Sequence, residues 1–280
     1  MKNPPDKLYH YCSVESMFNI IKSKSLWLSN SGQMNDSEES TWIEQYFDII
    51  KDSFKQKKYE PYLDKIFNVY YDDLGSSFIF CLSDKKDSLS QWRGYSDDGR
   101  GVSIGFSREQ LNIFEYLPHL RNSQILTISL IPVIYSESIQ QQKIHEILKN
   151  TKNDIDTYPH HSKTPFSYQF AKELLLLTQS YKNPSFEEES EWRLIFTPNT
   201  SGFSVKKEIT NIISDLNFRC TKDKIISYYK QSLENKFNSK LIPEIVLGPK
   251  SKIDIPEFKL FLKANGLEGT EVTPSDSTYR

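Results

Sequence analysis

Lys7-Leu8-Tyr9-His10-Tyr11-Cys12-Ser13, with Val14, Met17, Phe18 and Ile21 at helical spacing behind it and Ser25-Leu26-Trp27-Leu28-Ser29 following, decides how this chain is read. Lys7 to Tyr11 is short and rich in aromatic residues, as a strand is. Ser13 is a natural N-cap, because its hydroxyl can accept one of the orphan N–H groups of the first turn. The apolar residues at 14, 17, 18 and 21 then form a single stripe. The chain therefore opens strand, helix, strand.

Downstream, Asn30 to Asp36 is turn-rich, and Asp36 or Ser37 is placed to cap the next helix. Residues 39–73 keep a three-to-four apolar spacing through Trp42, Tyr46, Phe47 and Ile50 and again through Tyr62, Ile66, Phe67 and Tyr70, which predicts helix. Strands are predicted at Ser77–Ser83, at Gly101–Phe106 with its period of two, and at Ile125–Tyr135, where Pro132 indicates an edge or bulge. Helices are expected near 138–150 and 166–182, separated by a polar linker from Asn153 to Pro165. Strands at Glu191–Thr197 and Ile242–Leu247, a helix at Ile255–Ala264 and a last strand at Glu271–Thr273 complete the pattern. Strands and helices mix without strict alternation. The expectation is an α+β fold, one domain over residues 1–280, with helical insertions near 39–73 and 138–182 decorating a mixed β-sheet core.

Composition narrows the function classes. The hydrophobic content is only 37%, but the aromatic content of 13% supplies enough apolar area for a core. Lys and Arg number 35 against 37 Asp and Glu, so no global field attracts nucleic acid or an anionic membrane. No apolar run approaches the ~20 residues that cross a bilayer, and the N-terminus lacks the apolar region of a secretory signal. A cytoplasmic protein with no membrane association is expected. Three widely spaced cysteines and five histidines without i,i+4 pairing give neither a disulfide framework nor a metal site.

Three segments hold side chains that a packed strand does not need. His10 is either a satisfied core histidine or an imidazole donating to a ribose hydroxyl. Trp92 and Tyr95, in a stretch too polar for a strand and too aromatic for a solvated loop, either anchor a loop or form a stacking surface for a flat heterocycle. Arg93 and Arg100 lie near enough to receive a pyrophosphate. The glycines at 99, 101 and 105 enter a strand rather than open a helix, so they are not a dinucleotide fingerprint. Glu189 and Glu191 end an acidic run. Glu191 begins an apolar strand and shares a face with Arg193, where an ionised carboxylate could stabilise an oxocarbenium-like transition state. Two acids two residues apart stand side by side, which argues against a glycosidase whose carboxylates flank the substrate.

The series Tyr9-His10, Asn35-Asp36-x-x-Glu39, Ser90-x-Trp92-x-x-Tyr95, Gly101-x-x-Ile104-Gly105-Phe106, Glu189-x-Glu191-Trp192-Arg193 and Ile245-Val246-Leu247-Gly248-Pro249 resembles an uncharacterised bacterial domain-of-unknown-function family. That family itself looks like a divergent branch of the ADP-ribosyltransferases. The resemblance covers roughly residues 7–275. It implies an ADP-ribosyltransferase-like fold acting on NAD as substrate, with ADP-ribose passed to an unknown protein or nucleic acid, or to water. A bacterial toxin or phage-defence effector, with a possible neutralising partner, is the implied setting. His10 would contact a ribose hydroxyl, Tyr95 would stack on nicotinamide with Trp92 as a substitute, and Glu191 would be the catalytic glutamate that binds the nicotinamide-ribose 2′-hydroxyl and stabilises the cation, with Glu189 orienting the acceptor. Tyr11 and Cys12 stand where Gly-Thr is usual, and because Tyr95 falls in a polar loop before its strand, Ser103 within that strand is a second candidate for the position given to Tyr95. The competing expectation is a non-catalytic binding or interaction module that keeps the fold.

Overall fold

The computed structural model describes residues 5–33, 39–75, 77–111, 128–158, 163–198, 213–221 and 223–279. In chain order, β1 (Lys7–Cys12), α1 (Val14–Ser23) and β2 (Ser25–Asn30) form the opening unit. A 3-10 segment (Glu39–Tyr46) leads into α2 (Phe47–Ser53) and α3 (Glu60–Asp73). Then come β3 (Phe78–Ser83), α4 (Leu89–Tyr95), β4 (Val102–Ser107), α5 (Arg108–Leu111) and β5 (Ile128–Pro132). Two long helices follow, α6 (Glu137–Thr157) and α7 (Lys163–Ser180), and a 3-10 turn (Pro184–Glu189) delivers the chain into β6 (Glu191–Phe196). β7 (Asn217–Cys220), β8 (Ile225–Ser232), β9 (Glu244–Leu247), α8 (Ile255–Ala264) and β10 (Glu271–Pro274) finish it.

The opening segment folds for the reasons its sequence contains. Ser13 Oγ accepts from Ser16 N, and Met17, Ile20 and Ile21 of α1 are buried against the sheet. Lys24 ends α1 in the left-handed conformation, its N–H returning to the carbonyls of Ile20 and Ile21.

The strands form one mixed sheet of ten in the order β10-β9-β4-β1-β3-β2-β8-β7, with β6 on β3 and β5 on β6. Every pairing is antiparallel except β10 with β9. β3 is the branch point. One edge pairs with β6 along its full length, from Phe78↔Phe196 to Ser83↔Glu191. The other edge is shared: β2 takes one end at Ser29↔Ile79 and Asn30↔Phe78, and β1 takes the other at Tyr9↔Ser83. Between those points β1 and β2 diverge, and a fork opens against Phe80, Cys81 and Leu82.

Two apolar clusters flank the sheet. The larger joins Leu8, Ile21, Leu26, Leu28, Phe80, Ile104, Phe106 and Leu194 to α1 and α8. The second belongs to the helices: Ile43, Phe47, Ile50, Tyr62, Ile66 and Tyr70 meet Ile144, Leu148, Phe170, Leu174 and Tyr181. The expected helical segments thus pack on one another in a layer with its own core. No helix among the described residues is long and apolar enough to cross a membrane.

The structure corrects the sequence reading in several places. Leu89–Tyr95 is a helix, not a polar loop. The linker expected from Asn153 to Pro165 is mostly helical, since α6 runs to Thr157 and α7 begins at Lys163, with Pro165 tolerated in a first turn. Pro132 does close an edge strand, because among the described residues β5 pairs with β6 alone. β7 and β8 form a hairpin that the sequence reading passed over, although Ile225, Ile226, Tyr228 and Tyr229 of β8 are strand formers. The proposed caps Asp36 and Ser37, with Asn35, lie outside the described residues, as do Ile125 to Thr127.

Candidate functional site

The fork in the sheet lies on the wall of a cleft of about 660 Å³. Its walls come from β1, α1, β2 and β3, from α4 and the end of α7, and from Glu189, Glu191, Arg193 and Arg219. His10, Tyr11, Tyr95, Glu189 and Glu191, which are spread over 182 positions of the sequence, all line it.

His10 sits at the fork. Its Nδ1 lies 2.8 Å from the carbonyl of Cys81, one of the β3 groups facing the divergence. The ring stacks on Phe80 with centroids 4.1 Å apart. Burial lowers its pKa from 6.5 to about 4, so the imidazole is neutral at physiological pH. A carbonyl only accepts, so Nδ1 carries the proton and Nε2 is left as an acceptor. This reverses one expectation: His10 can accept from a ribose hydroxyl but cannot donate to it.

The acidic pair occupies the β6 end. Ser190, in the left-handed conformation at φ 45°, turns the chain between Glu189 and β6. Both carboxylates consequently reach Lys182. Its Nζ lies 2.6 Å from Glu189 Oε2 and 3.4 Å from Glu191 Oε2. Arg193 holds Glu191 with two bonds, Nε to Oε1 at 2.7 Å and a terminal nitrogen to Oε2 at 2.8 Å. The Glu191 N–H donates to Tyr135 Oη, and Tyr95 Oη donates to Glu189 Oε1 at 2.9 Å. Lys182, Glu189, Glu191 and Arg193 are each less than a tenth exposed.

Those surroundings drive the two acids apart. Burial opposes ionisation of both. For Glu191 the Arg193 guanidinium, with Lys182 beside it, overcomes this and brings the pKa down to about 2. Glu189 has only Lys182 for a cation and faces the Glu191 charge, so burial prevails and its pKa is raised. One carboxylate is firmly ionised and its neighbour is the easier to protonate. Divergent environments of this kind separate acid from base roles in enzyme sites.

Four expected ligand contacts are not part of the cleft. Trp92 is fully buried, its indole N–H donating to Asp87 and its ring edge-on to Tyr11 at 4.8 Å. That ring anchors α4 and offers no stacking face. Arg93 projects from α4 over the Tyr279 ring, 5.8 Å from its centroid. Arg100 bonds the Asp97 carbonyl and stands 3.9 Å from the carboxylates of Asp97 and Asp98, at the surface. Ser103 is buried opposite Tyr11 in the β1–β4 ladder. Tyr11 does line the cleft, but its hydroxyl is committed to the Lys85 carbonyl and the Ser88 N–H, where it ties down the turn before α4.

Sequence reasoning passed over Lys182, Gln179, Thr178, Trp27 and Arg219, all on the cleft wall. Lys182 follows an apolar helix and has no local signal. It is set in place by its backbone, bonded to Ile134 and to the Gln140 side chain. Arg219 lies on β7, a strand that its own residues do not announce.

Residues 91–194 match a family described as protein of unknown function (DUF2971). No curated protein and no solved structure matches the chain. The matched span begins at Gln91 on the cleft wall, contains Tyr95, Lys182, Glu189 and Glu191, and ends just beyond Arg193.

Proposed function

We propose that the cleft binds NAD and that the protein cleaves its nicotinamide–ribose bond, as an ADP-ribosyltransferase or an NAD glycohydrolase. The observation that carries this reading is the meeting of His10, Tyr95, Glu189 and Glu191 on one cleft, with Glu191 held as an anion. Loss of nicotinamide leaves positive charge on the ribose. A fixed carboxylate facing that carbon acts only as the charge develops, so it lowers the barrier without tightening the ground state. Arg193 and Lys182 fix its position. His10 Nε2 is suited to accept a ribose hydroxyl. Glu189, joined to Tyr95, is the group suited to take a proton from the acceptor, whether water or a macromolecule.

The test is nicotinamide release from NAD by the purified protein, followed by chromatography with water and with protein or nucleic-acid acceptors. Glu191→Gln should lower kcat by roughly 10²–10³-fold, the scale of losing one preorganised electrostatic contact, while NAD affinity persists. Unchanged turnover in that variant refutes the role of Glu191. Absence of both NAD binding and NAD consumption removes the whole reading.

One observation favours a second reading, a binding module without turnover. Arg193 engages both oxygens of Glu191, and Lys182 closes the charge balance, so the cluster is complete without a ligand. Under that reading NAD is bound and recovered intact. Glu191→Gln then shows itself in stability alone, by about 3–5 kcal/mol, since it leaves buried cations uncompensated. Growth arrest on expression that Glu191→Gln relieves, with the variant folded, favours the enzyme.

A further inference from the structure

The cleft has a second polar region, on the β2–β8–β7 side. Register places Ser29 opposite Tyr228 and Trp27 opposite Lys230, while Asn217 meets Tyr228 and Arg219 meets Ile226. Trp27, Ser29 and Arg219 therefore share a sheet face, and all three line the cleft. By the same pairing rule this is the face of Ile79, Cys81, Arg193 and Glu191. Arg219 and the acidic cluster look into one space.

Arg219 is an unbalanced charge in that space, and Lys230, 5.6 Å from the Trp27 ring centroid, adds a second cation beside it. Each cation of the Lys182–Arg193 cluster has a carboxylate. Among the described residues none pairs with Arg219, whose terminal nitrogen donates instead to Ser29 Oγ at 2.9 Å. Its Nε is buried with no hydrogen-bond partner, and so is the indole Nε1 of Trp27. The Trp27 ring is held in place by stacking on Tyr228, with centroids 4.8 Å apart. A desolvated guanidinium with an open donor is costly unless an anion completes it. Two orphan donors on one cleft wall point to the same missing acceptor.

We propose that Arg219 and Trp27, with Ser29 steadying the guanidinium, form a subsite for a phosphoryl anion, filled most completely by a diphosphate. Trp27 and Ser29 are two residues apart on one strand, about 7 Å. The indole donor and the guanidinium are two separate donor groups on one wall, and a diphosphate can offer an acceptor oxygen to each. The guanidinium fork suits phosphate oxygens in two directions at once. Arg93 and Arg100, the arginines that sequence reasoning offered for this task, stand elsewhere. The subsite shares its cleft with the proposed NAD site but rests on its own observations, and it requires no bond to be cleaved.

The experiment is calorimetric titration of the full chain with inorganic pyrophosphate, ADP and adenosine. Pyrophosphate and ADP should bind, and adenosine should bind at least tenfold more weakly than ADP. Arg219→Gln should weaken ADP and pyrophosphate by roughly 10–100-fold, the range of a charged hydrogen bond, and leave adenosine unchanged. Trp27→Phe keeps the stacked ring, loses the donor and should weaken ADP by a smaller factor. Arg219→Lys, which keeps the charge without Nε, falls between and serves where the Gln variant does not fold. Failure of the folded wild-type chain to bind ADP or pyrophosphate overturns the subsite, as does wild-type affinity in both Arg219→Gln and Trp27→Phe. Intact NAD alongside Arg219-dependent ADP binding upholds the subsite and refutes cleavage. NAD consumed by Arg219→Gln with an unchanged KM does the reverse.

Discussion

His10 couples the site to stability through its proton. In the unfolded chain the imidazole titrates near 6.5, and in the fork it titrates at about 4. Between those values the unfolded state binds a proton that the folded state refuses, so stability falls as pH drops from 6.5 to 4 and then levels off. The shift of 2.5 units is worth about 3 kcal/mol. Glu191 has the opposite arrangement, with a folded pKa of about 2. Its contribution is complete above its unfolded pKa and is lost only below, so the two windows barely overlap. His10→Asn offers an N–H to Cys81 and nothing to titrate. Urea unfolding at pH 6.5, 5 and 4 should show the wild-type chain losing that increment and the variant keeping it. Parallel profiles would mean that the imidazole is solvated. At this scale the sequence was informative about chemistry and silent about direction. Nothing near His10 in the chain announces that Cys81, 71 residues away, fixes its proton on Nδ1.

Elements explain which side chains could be read in advance. β1, α1, β3, β4 and β6 carry their signals locally, as a capping serine, a helical stripe or alternating apolar residues, and they position His10 and Glu191. α4 resisted because it has only seven residues, of which Ser90, Trp92, Gly94 and Tyr95 are middling or poor helix formers. It forms because Trp92 is buried and pinned to Asp87. β7 resisted because it is a four-residue edge strand, half-exposed, with β8 as its one ladder partner among the described residues. Arg219 went unread with it. Two glycines test these elements in opposite senses. Gly94 lies within α4 with nothing within 4 Å of an added methyl, so Gly94→Ala should stabilise by roughly 0.5–1 kcal/mol if α4 is helical. A Cβ on Gly101 would stand 2.1 Å from the Cys12 carbonyl, where β4 begins against β1. Gly101→Ala should therefore destabilise by about 1–3 kcal/mol or more. Thermal melts of both variants give the signs, and a destabilising Gly94→Ala would return this segment to a loop.

Across the whole molecule, the cleft is assembled by contacts between distant parts of the chain, which no window of sequence displays. The helical layer delivers Lys182 from the end of α7, and the fork depends on β1 and β2 separating over β3. The wall carrying Tyr95 depends on the far end of the chain. Asp87 accepts from the Trp92 indole and also from Ser275 Oγ, the Asp276 N–H and Ser277 Oγ. Tyr279 Oη donates to Asp98, and Lys250 covers its ring at 3.7 Å. Residues 275–277 and α4 are thus fastened through the Asp87 carboxylate, and Tyr279 through Asp98. Burial of Asp87 raises the cost of ionisation, yet its four donors prevail and its pKa is lowered. Asp87→Ala leaves the buried indole N–H and the tail donors without their acceptor, a loss of about 2 kcal/mol or more. Because α4 and the tail share that acceptor, they should loosen together. Amide hydrogen exchange should accelerate in 88–96 and in 275–279 alike, while α6 and α7, which pack in the separate helical core, keep their protection. Tyr95 would lose its fixed approach to Glu189 in the same variant, so ligand affinity should fall with protection. Acceleration confined to the tail would show that α4 stands without it, and that this wall of the cleft is built by the local chain alone.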